Sequence, residues 1–270
     1  MNNLPLIIVA SFLFFSSQGQ SVYEYKKAGI DKFRQRDYQG AMDEFSKGID
    51  LDKTDESLFY YRALAKYSVR DYEGAIEDHS RAVDLNPKYE KAWHDRGVNK
   101  LKIQDFEGGI TDFDKAAELN PDRPDTYFSR GTAKANLLRH KLAIVDFTKA
   151  IELNPKYDEA YYNRASSKHD LEDYQGALED CLKAVEINPK HEKAAHNIGV
   201  NKYRLEDYRG ALVAFEKAIA LNPKKGEYYH GLGSAKIELG QKEEGCADLT
   251  KSKELGFRKA VRTFNERCKD

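Results

Sequence analysis

Five prolines, Pro87, Pro121, Pro155, Pro189 and Pro223, stand 34 residues apart, and each follows an asparagine directly. The same offset links Tyr25, Phe59, Trp93, Tyr127, Tyr161, Ala195 and Tyr229, and again Gly29, Ala63, Gly97, Gly131, Ala165, Gly199 and Gly233. Residues 20–259 therefore carry seven in-phase copies of one 34-residue unit, at 22–55, 56–89, 90–123, 124–157, 158–191, 192–225 and 226–259. Positions are numbered 1 to 34 within each copy. A chain written this way stabilises itself by stacking neighbours, because one short unit cannot cover its own apolar face.

Positions 4, 7, 8 and 11 share one face of a helix, as do 20, 24, 27 and 28, because steps of three, four and seven residues return to the same side. Each copy thus reads as two amphipathic helices. Between them an aspartate precedes an aromatic residue, as Asp37-Tyr38, Asp71-Tyr72, Asp105-Phe106, Asp173-Tyr174 and Asp207-Tyr208. That aspartate is placed to cap the second helix. The Asn-Pro pair ends it, since the residue before proline is driven from the α region. The 270 residues are 40% hydrophobic and 33% charged, the balance of a soluble folded chain. With 44 basic side chains against 45 acidic ones, the net charge of −1 excludes a strongly basic binder of nucleic acid or an acidic tail.

The Trp-x-x-Arg-Gly run from Trp93 to Gly97, with alanine common at positions 20 and 27, an aromatic at 24 and proline at 32, resembles the tetratricopeptide repeat. That resemblance covers residues 22–259 and implies an all-α fold: an α-solenoid of seven helical hairpins wound into a right-handed superhelix, with first helices lining a concave groove. Two copies depart from the pattern. Copy four has Arg139-His140-Lys141-Leu142 in place of the usual Asp-Tyr-x-Gly, so a looser turn is expected there. Copy seven replaces the proline with Phe257. Beyond it, Ala260, Phe264 and Cys268 fall four residues apart and predict a capping helix within 260–270.

Residues 1–19 read as a signal peptide. Leu4 to Phe15 is an apolar run of twelve residues, shorter than the roughly 20 that span a bilayer. Ser17 and Gly19 occupy the small-residue positions before a cleavage at Gln20, although no basic residue precedes the run. The expected location is therefore periplasmic, envelope-associated or secreted. An uncleaved anchor is the competing reading, with any other membrane association running through partners.

Arginine at position 7 accompanies an aspartate sixteen residues later in four copies: Arg62 with Asp78, Arg96 with Asp112, Arg130 with Asp146, and Arg164 with Asp180. Copy six lacks both, having Ile198 and Ala214, which predicts structural ion pairs between the two helices rather than a ligand site. Lysine fills position 11 in all seven copies, from Lys32 to Lys236. Its stem is expected to lie along the hairpin interface, with the ammonium reaching water or an acid, in preference to a cationic ladder.

The resemblance places positions 2, 5, 9, 12 and 13 on the concave face. Candidate groove residues are Tyr60, Tyr67, Lys91, His94, Phe128, Tyr162, His169, Lys193, His196, Tyr203, Arg204 and His230. They form an aromatic surface with charge in bands, suited to a protein or peptide segment of mixed charge and not to nucleic acid. The lysine and asparagine pair of a carboxylate clamp is absent from positions 5 and 9 of every copy. The histidines show no compact ligand spacing, so no metal site and no cofactor are expected. Cys181 occupies a core slot as a buried thiol, whereas Cys246 and Cys268 are candidates for a disulfide between the last repeat and the cap.

Every strongly repeated residue has a packing role, and no phosphate-binding, zinc-protease or nucleophile-elbow motif occurs. The sequence predicts a non-catalytic scaffold that holds a protein or peptide segment in its groove. The alternative is an architectural subunit using its convex face or ends; a glycan-binding or enzyme-regulatory module has weaker support.

Overall fold

The computed structural model describes residues 21–269, so the predicted signal peptide lies outside the described residues. The chain divides into two compact units at Pro87–Lys88. The first holds α1 (Val22–Arg34), α2 (Tyr38–Leu51), α3 (Glu56–Ser68) and α4 (Tyr72–Leu85). The second holds α5 (Glu90–Lys102), α6 (Phe106–Leu119), α7 (Pro124–Asn136), α8 (His140–Leu153), α9 (Asp158–Asp170), α10 (Tyr174–Ile187), α11 (Glu192–Arg204), α12 (Tyr208–Leu221), α13 (Gly226–Glu238), α14 (Lys242–Glu254) and α15 (Arg258–Arg267). Among the described residues there is no strand, and within each unit successive hairpins stack as an all-α solenoid.

Local chemistry sets each hairpin. Asp37, Asp71, Asp105, Asp173 and Asp207 accept the backbone N–H three residues on, at 2.9 to 3.0 Å, closing the first turn of the second helix. The residue two before that helix is left-handed in six copies, with φ of 64° at Arg36, 67° at Arg70, 64° at Gln104, 58° at Leu138, 64° at Glu172 and 61° at Glu206. The seventh copy places Gly240 there. The turn of copy four is not looser. Leu138 N–H donates to Ala135 at 2.9 Å and Arg139 N–H to Lys134 at 2.9 Å, as in its neighbours, and only the side-chain cap is missing. Backbone hydrogen bonds thus hold the turn without the aspartate.

At the hairpin base, asparagine does more than precede proline. Asn188 Nδ2 donates to Asp158 at 2.7 Å, and Asn86 and Asn222 reach Glu56 and Glu192 at 3.1 and 3.2 Å. In these three copies the end of the second helix is thereby tied to the start of its own first helix.

Within each unit, position 24 supplies large core side chains. Phe45, Phe113, Phe147 and Phe215 are buried, and each faces a glycine at position 8: Gly29, Gly97, Gly131 and Gly199. A Cβ on those glycines would lie 2.4 to 2.8 Å from the ring. Copies two and five, with His79 and Cys181 at position 24, carry Ala63 and Ala165 at position 8, while copy seven sets Gly233 against Leu249. Each hairpin therefore matches small against large at one contact, as close-packed interiors require.

The position-7 arginines form the predicted ion pairs. Arg62, Arg96, Arg130 and Arg164 reach Asp78, Asp112, Asp146 and Asp180 at 2.6 to 2.7 Å, and all four aspartates are buried. Each aspartate also accepts the position-11 lysine, Lys66, Lys100, Lys134 or Lys168, at 2.7 to 2.9 Å. The lysines are thus the third member of a buried triad. Three arginines also bond position 25 of the preceding copy: Arg62 to Ser46 at 3.0 Å, Arg130 to Asp114 at 2.7 Å, and Arg164 to Thr148 at 3.0 Å. One guanidinium therefore closes its own hairpin and fastens it to the one before.

Candidate functional site

The structure brings together five of the candidate groove residues and scatters the rest. His169, His196, Tyr203, Arg204 and His230 line one cleft of about 670 Å³ walled by α9, α11, α13 and α15. Its floor includes Val200 and Phe215. Phe128 lines a second cleft of about 670 Å³, with Val98, Leu101 and Lys102 of α5 and Phe106 of α6. Tyr60 and Tyr67 belong to the first unit, where Tyr60 packs 5.5 Å from the His79 ring and Tyr67 packs 5.6 Å from Tyr72. Lys91 and Lys193 are exposed outside both clefts.

Two candidates belong to the packing between helices. His94 is 5% exposed, its Nδ1 hydrogen-bonded to Thr126 Oγ1 at 3.0 Å and its ring 5.5 Å from Phe113. Burial, together with the charge of Arg123, pushes its pKa from 6.5 down to about 3, so it is a neutral core residue and not a groove contact. The Tyr162 ring lies 4.9 Å from that of His191, tilted by 42°, and packs against the core around Cys181. Both occupy position 5, where a first helix meets the next copy; Phe128, His196 and His230 share that position and border the clefts instead.

Within the C-terminal cleft the side chains are fixed by one another. His196 lies between Tyr228 at 4.8 Å and Phe215 at 5.5 Å, and burial lowers its pKa. Burial also lowers that of His230, helped by the positive charge of Lys259. Both therefore face the cleft as neutral rings near pH 7, able to stack and to hydrogen-bond. His169 Nδ1 meets Asn201 Oδ1 at 2.8 Å. Tyr203 donates its hydroxyl to Glu238 at 2.9 Å, and Arg267 donates to the same carboxylate oxygen at 2.6 Å. Arg204 is exposed, with its guanidinium 5.7 Å from the Tyr174 ring. The result is an aromatic surface rimmed by both signs of charge, suited to holding an extended or helical segment.

Sequence reasoning missed the fourth wall. Phe257, Lys259, Thr263, Glu266 and Arg267 reach the cleft from the segment entering α15 and from α15 itself. The four-residue spacing of Ala260, Phe264 and Cys268 signalled a helix there but not which side chains would face the groove. Ala260 is the buried anchor, and the Lys253 ammonium sits 3.9 Å over the Phe264 ring. The disulfide joins Cys246 of α14 to Cys268, with Cα atoms 5.7 Å apart. Cys181 is buried, and burial raises its pKa to about 12, which makes it an inert thiol.

A different surface appears where copy six loses its triad. Ile198 and Ala214 replace arginine and aspartate beneath an apolar notch of about 340 Å³ rimmed by Leu182 and Val213, which are 48% and 65% exposed.

Profiles of the tetratricopeptide repeat match residues 124–157, 158–191, 192–225 and 226–255. No curated protein sequence matches the chain. Among solved structures, YrrB, a TPR protein with an unusual peptide-binding site, superposes with a TM-score of 0.61 at 25% identity, covering 69% of this chain and 96% of YrrB. A tetratricopeptide repeat protein from Parabacteroides merdae gives 0.67 at 16% identity over 93% of this chain and 100% of its own. MamA from Desulfovibrio magneticus gives 0.59 at 22% identity, with 62% and 94% covered.

Proposed function

From the premise that the chain is a tetratricopeptide repeat protein, we propose that it is a non-catalytic scaffold whose C-terminal cleft holds a segment of a partner protein. The carrying observation is the cleft itself: about 670 Å³, floored by Val200 and Phe215 and rimmed by charges of both signs. Rigid aromatic side chains in a concave, partly desolvated site are the usual anchors of protein recognition. YrrB, the neighbour with a peptide-binding site, supports the choice of ligand class. We place the protein outside the cytoplasm, in the periplasm, the envelope or the medium. The apolar start of the chain and the Cys246–Cys268 bridge both support export, since disulfides persist in oxidising compartments.

A photo-crosslinking phenylalanine derivative at position 203 tests the reading, with the same group at position 213 as control. Groove capture predicts partner adducts at 203 and none at 213. Adducts at 213 alone would favour the architectural alternative, for which the apolar notch beside Val213 is the specific observation. Tyr203→Ala with Arg204→Ala should abolish the adducts of a reporter placed at His230. Tyr162 is unsuitable for this purpose, because its truncation would open the core.

A further inference from the structure

The cleft has one wall unlike the others. Three sides come from the first helices of stacked copies, each packed against its own second helix and against the second helix of the copy before. The fourth comes from α15, which ends the described fold, packs chiefly on α14 with a smaller contact to α13, and buries one residue, Ala260. Its noncovalent ties to the cleft are few. His230 Nε2 meets Thr263 Oγ1 at 2.9 Å, Arg267 meets Glu238 at 2.6 Å, and the His230 ring lies 5.3 Å from Phe257. A ten-residue helix with so little buried surface is marginal without tertiary support. The covalent tie sits at its far end, where Cys268 is the residue capping α15 and Cys246 lies in the second turn of α14.

Resting on the reading of the cleft as the binding site, we infer that the Cys246–Cys268 bridge is a redox latch that controls it. Oxidised, the bridge pins α15 as the fourth wall. A dithiol reductant, such as a thioredoxin-like protein, transfers two electrons and two protons, leaving two cysteine thiols here and a disulfide on itself. Once reduced, α15 is joined to α14 only through the short main-chain link at 255–257, and its far end swings away from the cleft. The cleft then loses Lys259, Thr263 and Arg267, and with Arg267 goes one of the two partners that hold the Glu238 carboxylate. Ligand affinity falls because a four-sided site becomes an open face, while the rest of the array is untouched: Cys181 is a buried free thiol and the latch lies at one end.

Hydrogen–deuterium exchange, read by peptide mass spectrometry on the full ligand-free chain, tests the latch. A bridge spanning 22 residues restricts the opened segment enough that reduction with a phosphine should speed exchange across 258–268 on the order of 100-fold. Rates in α9 and α11 should stay within about threefold of those in the oxidised protein. The double variant Cys246→Ser, Cys268→Ser should reproduce the pattern without reductant. A rise under about fivefold in both samples would show that the wall stays in place without the bond and would overturn the latch. So would equal loss of protection through α11 and α12, the mark of a general staple. Because no ligand is present, this outcome is independent of crosslinking at position 203, and either reading can fail alone.

Discussion

Replacing Arg130 with isoleucine tests the logic of the repeated triads most directly, because copy six already carries that substitution's natural end point. Arg130 binds Asp146 at 2.6 Å and Asp114 at 2.7 Å, and its side chain is 17% exposed. Asp146 is 2% exposed and also accepts Lys134 at 2.7 Å. Removing one member of a buried pair costs about 3–5 kcal/mol when the other is left alone. Here Lys134 remains and Asp114 is exposed to water, so Arg130→Ile should cost about 2–3 kcal/mol. Adding Asp146→Ala removes the stranded carboxylate, and Lys134 can turn to solvent. The double variant should then resemble Ile198 and Ala214, which are buried together at 7% and 8% exposure, and its loss should fall to about 1 kcal/mol. Urea titration followed by circular dichroism, for wild type, both single variants and the double, gives the cycle. A double variant as unstable as Arg130→Ile, or additive singles, would refute a coupled buried triad.

Three further outcomes follow from the same packing. Gly131→Ala places a Cβ 2.8 Å from the Phe147 ring and should destabilise by about 1–3 kcal/mol in a thermal melt, with Phe147→Cys relieving part of the loss; strict additivity would dismiss the size match. Leu138 is 77% exposed and left-handed, so Leu138→Asn should raise stability by about 0.5 kcal/mol, and a fall in melting temperature would count against strain at that turn. His94 stays neutral in the folded protein until about pH 3, while the unfolded chain takes up its proton below 6.5. Stability should therefore fall as pH drops through that window, by up to about 1.4 kcal/mol per unit. His94→Phe should flatten that part of the profile, and an unchanged profile would show that the residue is not held neutral.

The helices, their phase and the ion pairs were legible because each is written several times in one chain: an arginine that disappears together with its aspartate in copy six announces their contact. The groove was less legible, and the reason is geometric. A position number fixes the face of a helix but not the depth of a side chain in the joint to the next copy. His94 and Phe128 both occupy position 5; one hydrogen-bonds to Thr126 in the core, and the other borders a cleft. The fourth wall was illegible for another reason. The cap occurs once, so no repetition exposes its roles, and Lys259 and Arg267 gain meaning only when α15 is seen across from α11. One signal in the sequence could have gone further. Glycine at position 8 tracks phenylalanine at position 24 in copies one, three, four and six, and alanine tracks the smaller His79 and Cys181 in copies two and five. Repeats within one chain thus act as their own mutant series, and a pair of positions that trade volume across copies marks a packing contact before any coordinate is known.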